Sequence, residues 1–127
     1  MNKKERDAVR DAKRLIEEVW KSSRLWSQNY GQARALLEPA RAADANDVLV
    51  LTYLGAVLSD QGHHLNAAIV LRKAVANGST DRNTYFNLGV AVLNSGTHEE
   101  AMSWFKKADA LQADSESWEA YFDPQGQ

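Results

Sequence analysis

The sequence predicts an all-α fold, a stack of antiparallel helix pairs in a single domain over residues 1–127, and three observations predict it. The chain repeats itself at a fixed offset of 34 residues. Leu54-Gly55 recurs as Leu88-Gly89, Gly62 as Gly96, His64 as His98, Ala67 as Ala101, Lys73-Ala74 as Lys107-Ala108 and Ala76 as Ala110. Within a copy the apolar residues keep helical spacing: Tyr85, Leu88, Val92 and Leu93 fall at i, i+3, i+7 and i+8. Only two prolines interrupt 127 residues, and most stretches between glycines are long, which favours helix over sheet. The length suffices for a core without staples, and the absence of cysteine removes disulfides and thiolate metal sites from consideration.

Taken in order, Lys3 to Gln28 reads as one long helix with Val9, Ala12, Ile16, Val19, Trp20, Ser23 and Trp26 as its buried stripe. Residues 1–13 form an extension ahead of a first repeat, 14–47, which is a worn copy. Ala33, Leu37, Ala40, Ala42 and Asp47 stand one period before Ala67, Leu71, Ala74, Ala76 and Asp81. Trp20-Lys21, however, takes the place of Leu-Gly, and Gln28 that of the loop glycine. Its second helix, about 30–43, carries Pro39, which removes a backbone hydrogen bond and should kink it. The second repeat, 48–81, contains the most apolar run, Val48 to Leu58, too short for the roughly 20 residues that span a bilayer.

The third repeat, 82–115, is the clearest pair. Its first helix is expected to stop at Gly96 in the left-handed conformation, and Thr97-His98-Glu99-Glu100 reads as a capping box that opens the second. Ala101, Phe105 and Ala108 share one face of that second helix. Gly55 and Gly89 lie inside helices, beside Leu54 and Leu88, where glycine costs about 1 kcal/mol relative to alanine. Close approach of the partner helix's backbone, opposite Ala67 and Ala74 or Ala101 and Ala108, is the expected compensation. Beyond Ser115, a candidate N-cap, Trp118, Tyr121 and Phe122 at i, i+3 and i+4 predict a capping helix within 116–127, with a frayed tail from Asp123.

This pattern of small, apolar and alanine positions at a period of 34 resembles the tetratricopeptide repeat family, over about 14–115. The third copy matches best through Tyr85, Leu88, Gly89, Gly96, Ala101, Phe105 and Ala108; the second follows with Leu51, Leu54, Gly55, Leu58, Gly62, Ala67, Leu71 and Ala74. The proline frequent near the end of such repeats is replaced by Ala45, Ser79 and Ala113. The resemblance implies a right-handed superhelical stack, an α-α solenoid, whose first helices line a concave groove. It also implies ligand contacts at repeat positions that fall here on Asn83, Phe86, Asn87, Val90, Leu93 and Asn94, and on Leu49, Thr52, Tyr53, Ala56, Ser59 and Asp60. In the first copy the same positions fall on Leu15, Glu18, Val19, Ser22, Leu25 and Trp26. None of these is lysine or arginine, so a clamp for a C-terminal carboxylate is not expected. Tyr53, Phe86, Val90, Leu93 and Trp26 would instead present apolar and aromatic anchors to a protein or peptide.

Other function classes find little support. The net charge is −2, and the basic residues of 1–30 alternate with Glu5, Asp7, Asp11, Glu17 and Glu18, the pattern of a solvated, salt-bridged helix rather than of a nucleic-acid surface. The charge is nonetheless polar along the chain, +3 over residues 1–30 and −5 over 97–127, and the second reading is a self-assembly module forming homo-oligomers through the groove, the capping aromatics or these opposite end charges. No HExxH, GxSxG, Walker or dinucleotide motif occurs, and His63, His64 and His98 read as surface residues; neither catalysis, a cofactor nor a metal is expected. The charged N-terminus has no apolar region behind it, and no segment suits membrane insertion, so a cytoplasmic protein is expected.

Overall fold

A computed structural model describes residues 2–112. Among these residues there are six α-helices and no strand: α1 Lys3–Lys21, α2 Trp26–Ala43, α3 Val48–Asp60, α4 His64–Ala76, α5 Arg82–Leu93 and α6 His98–Asp109. Short loops force consecutive helices to run antiparallel. Helix α1 packs on α2, α3 on α4 and α5 on α6, and the pairs meet through α2 on α3, α4 on α5, α1 on α3 and α3 on α5. The expected capping helix and tail, including Ser115, Trp118, Tyr121 and Phe122, lie outside the described residues.

The helices start where side chains satisfy their free N–H groups. Asn2 Oδ1 accepts from Glu5 N at 2.9 Å. Asp47 Oδ1 accepts from Leu49 N and Val50 N, and its counterpart one repeat later, Asp81, accepts from Asn83 N. Helices α3 and α4 end on glycines with φ of 90° and 88°, Gly62 and Gly78. In each case the residue after glycine reaches back across the last turn, His63 N to Leu58 O and Ser79 N to Ala74 O, closing the helix with a backbone loop that only glycine enters without strain.

Four expectations are corrected. The N-terminal segment is two helices, not one: Ser22 adopts extended backbone (φ −151°, ψ 100°), a short 3-10 turn spans Ser23–Leu25, and Trp26 begins α2. The break falls at two adjacent serines, residues of weaker helix propensity than the Leu, Lys and Glu before them. Trp20 and Trp26 are accordingly 52% and 40% exposed rather than part of a buried stripe. Gly96 does not take the left-handed conformation; α5 closes through Ser95 N and Gly96 N, both donating to Val92 O. Thr97 does cap α6, accepting from Glu100 N, but the Glu100 carboxylate turns away to accept from Arg72 on α4 and from Trp104 Nε1. Arg72, then Trp104, holds that carboxyl below its ordinary pKa.

The fourth correction concerns the helical glycines. A Cβ on Gly55 would lie 2.4 Å from Leu71 Cγ, and one on Gly89 2.6 Å from Phe105 Cε1. The close approach is real, but a side chain of the partner helix makes it, not the backbone. Leu71 and Phe105 are themselves one period apart, so the same notch-and-knob contact is built twice. The small residues recur in the same sense: Ala33, Ala67 and Ala101 are buried, as are Ala40, Ala74 and Ala108, and Leu54 and Leu88 lie beside the notches in the core. Helix α2 continues through the exposed Pro39 to Ala43.

A chain of buried hydroxyls joins the second and third pairs. Thr84 Oγ1 lies 2.6 Å from Thr52 Oγ1 on α3 and 2.8 Å from Ser79 Oγ in the connecting loop. Replacing the central hydroxyl takes this partner from the buried Thr52 Oγ1 and leaves Ser79 Oγ with the Asp81 N–H at 3.2 Å. Thr84→Val is therefore expected to cost about 1–3 kcal/mol, read as a shift in urea midpoint, although valine matches threonine in shape. A cycle with Thr52→Val should show the two losses to be non-additive; simple addition would mean the hydroxyls do not act as one network.

Candidate interaction surface

The residues expected to line a groove divide sharply between α3 and α5. On α3, every residue from Val50 to Ser59 is buried. Tyr53 is 0% exposed, Ala56 and Thr52 are fully enclosed, and Leu49 is half-buried. The physical reason is position: α3 touches α1, α2, α4 and α5, so no face of it is left for a partner. Tyr53 is a core residue and cannot serve as the exposed anchor that the family pattern implied.

On α5 the equivalent positions are different. Asn83 and Asn87 are buried; Asn87 Nδ2 donates to the Asn83 backbone carbonyl, and Asn83 Oδ1 accepts from Arg82. Phe86 and Val90 are half-buried and Leu93 is 46% exposed, at i, i+4 and i+7, a single stripe that ends at the exposed Asn94. The Phe86 ring sits 5.4 Å from that of Phe105, and the Arg82 guanidinium lies 5.3 Å above it. The knob that fills the Gly89 notch therefore also fixes the orientation of Phe86.

Trp26 belongs to neither stripe. The break at Ser22 places it at the start of α2, where it stacks on Tyr30 at 4.7 Å, and Tyr30 donates through its hydroxyl to Asp60 Oδ2 at 2.7 Å. Of the other first-copy positions, Val19 is buried in the core, Leu15, Ser22 and Leu25 are half-buried and Glu18 is exposed.

Some exposed apolar residues escaped the sequence reading. Leu65 (70% exposed) and Ile69 (61%) stand one turn apart on α4. Their helical spacing alone could not separate a buried stripe from an open one. The histidines do not converge: His63 precedes α4, His64 Nδ1 lies 3.2 Å from Ser59 Oγ, and His98 opens α6. No helix of the described residues is long and apolar enough to cross a membrane. No protein-family model matches the chain, and a comparison with curated proteins finds no match.

Proposed function

We propose that this chain is a non-catalytic protein-interaction module of the tetratricopeptide type, an adaptor, scaffold or chaperone-like domain. Its helix pairs would coil as a right-handed solenoid, and an apolar segment of another polypeptide would lie along α5. The observation that carries this reading is the Phe86–Val90–Leu93 stripe: large apolar side chains, progressively exposed, on a helix whose other faces are packed. Such surface is costly to leave in water and gains most from a partner's apolar side chains. The twice-built contact of Gly55 with Leu71 and Gly89 with Phe105 supports the repeat architecture behind it.

The test is selection of a random peptide library on the immobilised protein. Enriched peptides should carry apolar anchors, and Leu93→Asp should weaken them at least about tenfold while leaving the thermal midpoint unchanged. Equal binding by Leu93→Asp would remove α5 as the site. A second reading, self-assembly into homo-oligomers, draws on Leu65 and Ile69 on α4. Light scattering across a wide concentration range separates the two: growth in mass that Ile69→Asp abolishes and Leu93→Asp does not would favour self-assembly.

A further inference from the structure

The described residues bring three carboxylates together from distant parts of the sequence. Glu5 lies in the first turn of α1, Asp44 caps the end of α2, and Asp47 caps the start of α3. One side-chain oxygen from each lies within 4.8 Å of the others. Glu5 is only 3% exposed, and its Oε2 is buried without a hydrogen-bond partner. Glu5 also borders a cavity of about 330 Å³ whose lining joins Ala8, Leu36, Pro39 and Ala40 to the polar Asn2, Lys4, Asp7 and Asp11. Asp47 spends Oδ1 on the α3 N–H groups and Asp44 spends Oδ1 on Asn46 N, leaving one oxygen of each uncommitted. Lys4, on the rim of the same cavity, forms no ion pair with any of the three.

We propose that Glu5, Asp44 and Asp47 bind a hard divalent cation, calcium in preference to magnesium. A buried carboxylate without a donor, set beside two others, is costly unless a positive charge joins it. The ligands are all carboxylate oxygens, a set that suits calcium or magnesium and not the softer transition metals. Two come from one loop and the third from another helix, an irregular arrangement that calcium's flexible coordination accepts and magnesium's strict octahedron resists. Water and loop carbonyls would complete the shell. The ion would tie the start of α1 to the α2–α3 connection, coupling the first pair to the second.

The test is calcium titration of the metal-stripped protein, followed by calorimetry and by thermal unfolding at matched ionic strength. One ion should bind, and calcium at about a hundred times its dissociation constant should raise the midpoint by about 5 °C or more. Magnesium should raise it less. Glu5→Gln and, independently, Asp47→Asn, which keeps a capping oxygen, should each abolish the calcium shift while Glu99→Gln retains it. No binding heat and no calcium shift in the wild type would overturn the proposal. A full shift in Glu5→Gln would overturn it equally.

Discussion

Tyr53→Ala is expected to remove about 3–5 kcal/mol of stability, the usual cost of deleting a fully buried aromatic side chain. Tyr53 heads the fully buried side chains by size and sits on the helix that four others surround. No exposed edge lets neighbouring side chains collapse into the space. A domain of this size has roughly 5–15 kcal/mol in total, so the variant should fold marginally at best. Chemical denaturation followed by circular dichroism measures it. A loss below about 1 kcal/mol, with binding to α5-selected peptides abolished, would return Tyr53 to a surface role and contradict its burial.

Gly55→Leu should be nearly as damaging, despite leucine's better helix propensity of about 1 kcal/mol. Even a single added carbon meets Leu71 Cγ at 2.4 Å, and Leu71 is 0% exposed, so it has nowhere to move. Overpacking of this kind costs about 1–3 kcal/mol and more when the neighbour is locked; about 3 kcal/mol net is expected here. Gly89→Leu provides the comparison. Its neighbour, Phe105, is half-buried and can swing outward, so the loss should be smaller. Leu71→Ala combined with Gly55→Leu should cost less than the sum of the single changes, because the cavity left by one receives the other. Equal losses at Gly55 and Gly89, or strict additivity, would rule out Leu71 as the source of the strain.

The repeat was legible because its marks are local and periodic. Glycine opposite a large residue, and alanines at fixed places on the second helices, recur at one offset and are buried alike. The break at Ser22 was not, since neither glycine nor proline marks it and the charged pattern of α1 runs smoothly up to it. Tyr53 shows a different limit. Val48 to Leu58 is apolar on every side, which on physical grounds means a buried helix, yet the family pattern assigned Leu49, Thr52, Tyr53 and Ala56 to a groove. The all-round character of the run was the stronger signal. On α5 the spacing of Phe86, Val90 and Leu93 was legible but their exposure was not, because Leu93 also falls in register with the buried Leu88 and Val92. Glu5, Asp44 and Asp47 were invisible as a group because a whole helix pair separates the first from the others, and only tertiary packing closes that distance.

The enclosure of α3 also sets a clock. Amide protons of the outer helices can exchange with solvent when a single pair peels from the stack, an opening that leaves the rest intact. Those of α3 have no such route, because each of its sides is shut by a different neighbour. They exchange when the whole domain opens, so the slowest deuterium uptake in the chain reports the global unfolding equilibrium, and everything faster reports how independently the pairs breathe.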